Sequence, residues 1–527
     1  MHDFTSGRRP STIGDRAMVA TSHPLATATA LGILRTGGNA IDAAVAAAAV
    51  QAVVDPLMTG AGGDLFALYA PATGGVQALN ASGRSPAAET IETLTQAGIG
   101  DTIPQHSPHA VTVPGAVSGW CRLVEELGSL PLAEVLAPAI SYARDGFRIT
   151  PRVAQDWAEE AATLRHDPHA AAHFLPRDTP PRPGDRFAQP ALAGLLSDIA
   201  AHGTDGFYTG PNARSMVARL HGLGGLHTLD DFAEGADAAT WVTPISARYR
   251  GVTVHECPPN GQGVAALLIL RLLDGFDVGA MSMADRIHLQ AEAAKIAYHH
   301  RDALLGDPAD CPGLVETLLS DTVVEGLRAR IDMTRAATPA LWDEPEHRDT
   351  IYLCVVDEAG NAVSLINSIF HGFGSGLYDP GTGVLFHSRG ASFRMIPGHP
   401  NAAGPRKRPM HTIIPGYCEG EGFGRMPFGV MGGQYQAAGQ AALLCDVLAR
   451  GMGLQAAMDE PRSFATEGVL RLEPGVPEEV RADLAARGHR IVIVDSPMGG
   501  SQAIRLHPEG WLEGGSDSRK DGMALGY

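Results

Sequence analysis

One threonine in this 527-residue sequence stands where it could act as a nucleophile. Thr350 opens an apolar run, IYLCVVD, and a turn (EAGN) separates that run from a second one, AVSLINSI. A hydroxyl is a weak nucleophile until a base takes its proton, and an N-terminal α-amine can be that base. If the chain is cut between Asp349 and Thr350, the threonine gains such an amine. The structural alternative is a threonine that merely opens a β-hairpin, because threonine favours strands.

The surroundings of Thr350 fit the chemical interpretation. The residues before it end in PALWDEPEHRD, a polar run with prolines, and exposed connections of this kind are where chains are readily cleaved. Farther along, an apolar run ends at Gly432 and Gly433, just before a helical pattern. Backbone N–H groups at such a turn can face an oxyanion, although a plain glycine turn is the better explanation of the pair taken alone.

Other catalytic and metal-binding patterns find little support. The segment HDPHAAAH contains His166, His169 and His173, but no carboxylate pattern accompanies them and no H-E-x-x-H occurs. Surface histidines therefore explain this segment better than a metal site. The sequence has neither a G-x-x-x-x-G-K-[ST] loop nor a G-x-S-x-G elbow, which argues against a P-loop protein and an ordinary serine hydrolase. We expect neither a metal nor an organic cofactor.

Composition and charge limit the class of protein. A length of 527 residues allows about three domains of ~150 residues or one large fold. Hydrophobic residues make up 44% and charged residues 19%, which is typical of a globular protein with an ample core. The net charge of −18 disfavours nucleic acids and anionic membranes as partners, since both require a basic surface. The short basic run 406–408 is either a solvated turn or a contact for an acidic ligand.

Targeting signals and cysteine usage favour the cytoplasm. The six cysteines are scattered without a C-x-x-C spacing, so neither a zinc ribbon nor a disulfide framework is indicated. The first residues show no apolar core of signal-peptide length. The longest apolar run, AIDAAVAAAAVQAVV, is shorter than the ~20 residues that a membrane span needs, and we expect a buried helix there.

The pattern along the chain predicts the elements that must position Thr350. Helices are expected after His23–Pro24, with a stop at Gly37–Gly38, then after the capping residue Asn39, and over ADRIHLQAEAAKIAYHHRDALLGDP. Residues 160–190, rich in Pro, His, Asp and Arg, are expected to form a surface connection. After Thr350, strand character dominates to about residue 435. This order predicts layered sheets covered by helices.

Ordered sequence blocks give the chain a family resemblance over nearly its whole length. The blocks read ATSHPLATATALGILRTGGNAIDAAVAAAAVQAVVDPLMTGAGGDLF, VPGAVSGW, LAPAISYARDGF, CPPNGQG, AKIAYHHRDALLGDP, TIYLCVVDEAGNAVS, FGSG, RKRPMHTIIP and MGGQYQ. In this order they resemble the γ-glutamyltranspeptidase family of N-terminal-nucleophile hydrolases. The resemblance implies an α+β fold, a four-layer αββα sandwich, and a precursor that cuts itself before a threonine.

The same resemblance assigns the machinery. Thr350 matches the nucleophile, Ser368 matches a second hydroxyl that supports it, and Gly432 with Gly433 match the oxyanion hole. The precursor would divide between Asp349 and Thr350 into a large subunit, 1–349, and a small subunit, 350–527, intertwined as one structural unit. Scaling 55.1 kDa by length puts the pieces at roughly 36 and 19 kDa. A dimer of such heterodimers is a further option.

The chain departs from the family where a γ-glutamyl group would bind. In place of an arginine, an asparagine, a Gln-x-x-Asp pair and a Ser-Ser pair, it carries Ser82, Phe370, Arg389 with Ser392, and His411 with Thr412. The anion for a substrate ammonium is lost and a guanidinium has appeared. Because a guanidinium binds carboxylates bidentately, the pocket suits an acid without an α-amine. Arg389 is the first choice for this carboxylate, and Arg84 is the second.

These departures resemble the branch of the family that includes oxamate amidohydrolase, an enzyme of purine degradation. The expected function is hydrolysis of a small carboxylate-bearing amide, such as oxamate to oxalate and ammonia, through a threonine acyl-enzyme. The alternatives are a γ-glutamyltransferase or glutathione hydrolase with a rearranged site, an acylase that cleaves β-lactam side chains, and a degenerate member that only binds a metabolite or a partner.

Overall fold

Two seven-stranded antiparallel sheets form the centre of this computed structural model, which describes residues 8–337 and 350–527. The strands in chain order are β1 (Thr12–Gly14), β2 (Met18–Thr21), β3 (Asp64–Ala70), β4 (Gln77–Ala81), β5 (Phe147–Arg148), β6 (Arg186–Phe187), β7 (Thr240–Val242), β8 (Ile245–Tyr249), β9 (Val252–Glu256), β10 (Ile351–Val356), β11 (Ala362–Ser368), β12 (Tyr378–Asp379), β13 (Val384–Leu385), β14 (Gly416–Gly420), β15 (Gly424–Met431), β16 (Ser463–Thr466), β17 (Val469–Leu472), β18 (Ile491–Ile493), β19 (Gly500–Leu506), β20 (Leu512–Ser516) and β21 (Met523–Gly526).

The first sheet has the order β1-β20-β19-β15-β14-β9-β8, and the second has the order β21-β2-β10-β11-β3-β4-β7. The α-helices are α1 (Pro24–Arg35), α2 (Ala40–Val54), α3 (Ile91–Gln96), α4 (Ala116–Leu127), α5 (Leu132–Asp145), α6 (Pro151–Glu159), α7 (Ala161–Leu164), α8 (Pro168–Phe174), α9 (Pro190–His202), α10 (Asp205–Tyr208), α11 (Gly210–Gly222), α12 (Leu229–Gly235), α13 (Gly263–Leu273), α14 (Met283–Leu304), α15 (Leu314–Leu318), α16 (Asp321–Arg328), α17 (Gln436–Leu444), α18 (Leu454–Met458) and α19 (Glu478–Ala486).

Three apolar cores separate four layers. One core lies between the two sheets and includes Tyr352 and Met431. A second packs helices such as α2, α4 and α5 onto the outer face of the second sheet. A third packs α13, α14 and α17 onto the outer face of the first sheet. The expected α+β sandwich with helices outside two stacked sheets is confirmed.

Strand β10 shows why its sequence is apolar without alternation. Ile351, Leu353 and Val355 face the core under the helices, whereas Tyr352 and Cys354 face the core between the sheets. A strand buried on both faces needs apolar residues at every position. Strand β10 is therefore central, and the residue just before it is held at the inner edge of the second sheet.

The helix expectations at the start of the chain are confirmed. Helix α1 begins at Pro24 and ends at Arg35, before the two glycines. Helix α2 begins after Asn39, whose side chain accepts the N–H groups of Ile41 and Asp42, and every residue of α2 is buried. A capping box of this kind satisfies N–H groups that the helix itself leaves unpaired. Within the described ranges, no helix has the length and apolar character of a bilayer span.

The expectation of a surface connection over residues 160–190 is wrong in part. The segment forms α7, α8 and β6, and it buries Leu164, Phe174 and Phe187 in the core under the second sheet. The ring of Phe174 lies 5.7 Å from that of Phe373. These apolar residues are too widely spaced among polar ones to give a periodic pattern, and their burial therefore cannot be predicted from local periodicity.

Each sheet contains strands from both sides of the predicted cut. In the second sheet, β10 and β11 lie between β2 and β3, and the last strand, β21, pairs with β2. In the first sheet, β14 pairs with β9. The division into 1–349 and 350–527 stays a prediction, because Asp349 falls outside the described residues.

Candidate active site

Strand register brings Thr350 beside Ser368 and Asp64. Ile351 pairs with Asn367 across β10 and β11, which places Thr350 opposite Ser368, and Ser368 pairs in turn with Asp64 at the start of β3. The Thr350 Oγ1 atom lies 3.2 Å from the Ser368 Oγ atom, and both residues are buried. The predicted nucleophile and its supporting hydroxyl therefore meet, as neighbours on adjacent strands do.

Phe370 and Arg389 extend this row toward the predicted carboxylate pocket. The N–H of Phe370 donates to Ser368 Oγ at 3.1 Å, and Phe370 has a positive φ of 82°. The guanidinium carbon of Arg389 lies 3.9 Å from the centre of the Phe370 ring, a cation–π contact. Arg389 is fully buried, and its Nη1 donates to Thr412 Oγ1 at 3.1 Å. Contacts thus run without a break from Ser368 through Phe370 and Arg389 to Thr412.

Ser392 holds the turn that carries Arg389. Its hydroxyl lies 3.0 Å from the carbonyl of Arg389 and 2.9 Å from that of Met410, and its one hydrogen is shared between the two acceptors. These bonds join the short 3-10 turn Arg389–Ser392 to the segment before His411. The hydroxyl of Ser392 therefore supports the position of Arg389 through the backbone.

Asp64 is a site residue that the sequence analysis missed. Its Oδ1 accepts the N–H groups of Gly83 at 2.9 Å and Gly115 at 3.1 Å. Its Oδ2 lies 3.1 Å from His411 Nε2 and 3.6 Å from His387 Nδ1. The available signal was an acidic residue between a glycine turn and an apolar strand, in GAGGDLFALYA. An aspartate at a buried strand start needs such partners.

The charges of this cluster follow from burial and contacts. Burial alone would raise the pKa of Asp64, but His387, His411 and Arg389 outweigh burial and lower the pKa below its ordinary range. Burial, followed by the charge of Arg389, lowers the pKa of His411 to about 3. Burial also lowers the pKa of His387. At neutral pH the cluster therefore holds an ionised aspartate beside two neutral imidazoles.

Replacing His411 by glutamine should change how stability depends on pH. Because the pKa of His411 falls from 6.5 to about 3 on folding, the unfolded chain binds more protons below pH 6.5. Wild-type protein should therefore lose stability as the pH falls from 6.5 toward 3, by up to ~1.4 kcal/mol per pH unit from this residue. Glutamine can still donate to Asp64 but does not titrate.

The expected result is that the stability advantage of wild type over H411Q narrows as the pH falls from 6.5 to 4.5. Urea unfolding at one protein concentration measures the difference. A gap that stays constant across this range would contradict a neutral, buried His411.

Ser82 and Arg84, two predicted site residues, differ in burial and in the residues that they contact. Ser82 is buried, and its hydroxyl accepts from Asn260 Nδ2 at 3.0 Å. The side chain of Arg84 is 48% exposed, and its Nη1 donates to the carbonyl of Arg406 at 2.8 Å and lies 3.5 Å from Asp307. Arg389, rather than Arg84, is therefore the guanidinium in contact with the row that begins at Thr350.

Gly432 and Gly433 form a turn at the end of β15. Both have positive φ, 113° and 56°, and a Cβ atom on Gly432 would lie 2.9 Å from Gly499 Cα. A φ of 113° together with so close an approach favours glycine at position 432. The carbonyls of Gly433 and Thr412 both accept from Gln262 Nε2, at 3.2 and 2.8 Å. The amide of Gln262 thus connects the glycine turn with Thr412, whose hydroxyl accepts from Arg389. Thr412 and Arg389 together form the Arg389 wall of the site.

The three histidines of the HDPHAAAH segment do not converge on one point. His166 stacks on His106 with ring centres 3.8 Å apart, His173 stacks on Tyr378 at 5.1 Å, and His169 is exposed. The three histidines therefore have separate surroundings.

Among the described residues, a different set, His288, Glu292 and His489, places three donor atoms within 4.8 Å. There His288 Nδ1 lies 2.7 Å from His489 Nε2, in hydrogen-bond contact, and Glu292 accepts from Lys295 at 2.6 Å. These contacts give a polar cluster that is satisfied within the protein.

The fold and the site together define an N-terminal-nucleophile hydrolase: stacked antiparallel sheets between helices, with a threonine before a central strand, a second hydroxyl and a glycine turn. The sequence model of the γ-glutamyltranspeptidase family matches residues 26–527. The chain belongs to the γ-glutamyltranspeptidase family and is a hydrolytic enzyme.

Individual relatives cover nearly the whole chain. It is 38% identical to the "Glutathione hydrolase-like YwrD proenzyme" of Bacillus subtilis and 38% identical to the "Oxamate amidohydrolase proenzyme" of Klebsiella pneumoniae, in each case over 98% of this chain and 99% of the relative. The crystal structure of a cephalosporin acylase from Bacillus halodurans is similar with a TM-score of 0.92 and 37% identity, covering 100% of this chain and 99% of that one.

Proposed function

We propose that this enzyme cleaves itself before Thr350 and then hydrolyses a small amide that carries a carboxylate, such as oxamate. The observation that carries this proposal is the buried Arg389, stacked on Phe370 and bonded to Thr412, in the row that begins at Thr350. A buried guanidinium favours an anionic ligand, because charge-assisted pairs are strong away from water. The relative named as an oxamate amidohydrolase supports the same choice.

The first chemical step is self-cleavage. The Thr350 hydroxyl attacks the carbonyl carbon of Asp349, and the bond from that carbon to the Thr350 nitrogen breaks as an ester forms. Water then hydrolyses the ester, which gives a carboxylate on Asp349, restores the hydroxyl and leaves a free α-amine on Thr350. The interleaved strands of the two pieces supply the contacts that hold them together as a heterodimer.

In the mature enzyme the same hydroxyl attacks the substrate amide. The α-amine, with an ordinary pKa near 7.7–8.0, accepts the hydroxyl proton, and the N–H groups of Gly432 and Gly433 stabilise the oxyanion. The proton passes to the leaving nitrogen, so that oxamate would release ammonia. Water then attacks the acyl-threonine, which releases oxalate and restores Thr350.

A second candidate is hydrolysis or transfer of a γ-glutamyl group, because the B. subtilis relative is named as glutathione hydrolase-like. A γ-glutamyl substrate brings an ammonium that needs an anion. Asp64 is the buried anion of the cluster, but two backbone N–H groups and two histidines surround its oxygens. This enclosure favours the carboxylate-bearing amide without an α-amine.

Parallel assays distinguish the two candidates. Ammonia release from oxamate and related carboxylated amides should exceed release of aniline from a γ-glutamyl anilide by at least about tenfold in kcat/KM. That ratio corresponds to ~1.4 kcal/mol of discrimination in the transition state. Faster turnover of the anilide would overturn the proposal in favour of the second candidate.

We further propose a cytoplasmic location, which the six free cysteine thiols support.

Replacing Ser368 by alanine should slow both reactions of Thr350. The hydrogen bond to Thr350 Oγ1 is lost, and a bond worth ~0.5–1.5 kcal/mol corresponds to a decrease of about 2- to 13-fold in kcat. Ser364→Ala is the matched control, since Ser364 is buried in the same strand but contacts Tyr352. Turnover and the half-time of precursor cleavage measure the effect. Equal rates in both variants would contradict a supporting role for Ser368.

A further inference from the structure

The glycine turn is held by side chains that lie before the predicted cut. Gly433 has a positive φ and no side chain, so its backbone is intrinsically free to rotate. Three residues restrain it: Gln262 donates to the carbonyl of Gly433, Tyr298 donates to the carbonyl of Gln434, and Arg301 donates to the side chain of Gln434. All three residues lie outside β15, the strand that ends at the turn.

Gln262 is the residue whose amide joins two walls of the site. Its Nε2 has two hydrogens, and the two carbonyls that accept them belong to Thr412 at 2.8 Å and Gly433 at 3.2 Å. Its Oε1 accepts from Arg301 Nη1 at 2.7 Å. An arginine can only donate, so this contact fixes which end of the amide is oxygen. The amide is therefore oriented in one way.

Arg301 is itself rigidly placed. It is 1% exposed, its Nε donates to Asp302 at 2.7 Å, and its guanidinium carbon lies 4.5 Å from the centre of the Tyr298 ring. The negative charge of Asp302 compensates the buried cation. The support behind Gln262 thus consists of a paired charge and an aromatic face on one helix, α14.

We propose that Gln262 is a positioning residue that aligns the oxyanion turn with the Arg389 wall, an inference that rests on the proposed amide hydrolysis. The N–H of Gly433 shares a peptide plane with the carbonyl of Gly432, which accepts from the N–H of Tyr435 at 3.0 Å, and the carbonyl of Gly433 in the next plane accepts from Gln262. Fixing both carbonyls fixes the direction of the Gly433 N–H group. Oxyanion donors act only when they are oriented in advance.

The two walls depend on Gln262 to different degrees. The segment at Thr412 keeps other restraints, because the N–H of Gln262 bonds the carbonyl of His411 and the N–H of His411 bonds the carbonyl of Asn260, at 2.9 and 2.8 Å. The backbone bonds of the glycine turn are internal to it: the carbonyls of Gly432 and Gly433 accept from the N–H groups of Tyr435 and Gln436. Neither bond ties the turn to the Thr412 segment, and the amide of Gln262 does. Loss of the amide should therefore disturb the oxyanion turn more than the carboxylate wall, which lowers kcat more than it raises KM.

Gln262→Glu separates positioning from mere support of Arg301. A glutamate still pairs with Arg301, but it has no hydrogens to donate to the carbonyls of Thr412 and Gly433. We expect kcat for the carboxylated amide to fall by about 10- to 100-fold, as for a small misplacement of catalytic groups, with KM changed less than about threefold. Gln262→Met, which is similar in length and uncharged, should show the same split.

Gln51→Met is the matched control, since Gln51 is a buried glutamine that donates to Ser22 from helix α2. It should keep wild-type kcat. A Q262E enzyme with wild-type kcat would overturn the inference, and so would an equal rise in KM that accounts for the whole loss. If Q262E does not yield folded protein, as judged by its melting temperature, the Q262M result decides. Wild-type protein that releases no ammonia from any amide would instead refute the proposed function.

Discussion

Thr350→Ala should abolish both self-cleavage and turnover. Wild-type protein should run on a denaturing gel as pieces of roughly 36 and 19 kDa, and the variant should run as one band of 55.1 kDa. Activity should fall by at least about 10⁴-fold, since loss of a nucleophile leaves only binding and oxyanion contributions. N-terminal sequencing of the smaller wild-type piece should read Thr-Ile-Tyr-Leu-Cys.

Two further variants make this result specific. Thr350→Ser retains a hydroxyl and should still be cut, with slower turnover. Thr21→Val removes a different buried threonine, in β2 beside β10, and should be cut and active like wild type. A T350A protein that still separates into the same two pieces, or an active preparation that consists only of uncut chain, would refute the N-terminal threonine mechanism.

Local patterns predicted the elements that depend on local rules. Helices α1 and α2 follow from proline, asparagine and glycine at their ends, and β10 follows from an apolar run that begins after a polar segment. The pairing of Thr350 with Ser368 also lies within reach of the sequence, because a short turn joins β10 to β11 and sets their register. The glycine pair at 432–433 predicts a turn, and the family resemblance favours an oxyanion hole there over a plain turn.

The residues that were missed depend on contacts between distant parts of the chain. Asp64 meets His411 across 347 residues, and Arg301 meets Gln434 across 133. Burial makes such polar partners obligatory, but nothing in the local sequence says which partner a given side chain finds. Arg301 lies in the predicted helix α14. The apolar periodicity of that helix indicates that position 301 faces inward, but it does not indicate Gln434 as the partner.

Arg389→Met should remove recognition of the substrate carboxylate and leave self-cleavage intact. The precursor needs no substrate carboxylate, so R389M should still form two pieces. Loss of a buried charge partner costs ~2–5 kcal/mol, which corresponds to a decrease in kcat/KM for oxamate of about 30- to 4,000-fold. Arg389→Lys keeps the charge but not the planar fork and should recover only part of the loss.

A neutral substrate isolates the charge effect from general damage. Oxamide replaces the carboxylate of oxamate by an amide, so R389M should lower kcat/KM for oxamate at least about tenfold more than for oxamide, a difference of ~1.4 kcal/mol. Arg84→Met tests the second choice, whose exposed side chain predicts less than about threefold change for either substrate. If R84M instead loses oxamate selectively and R389M does not, the carboxylate binds at Arg84. If R389M loses both substrates equally, the buried guanidinium supports the pocket without contacting the substrate anion, and the substrate class must be sought among amides without a carboxylate.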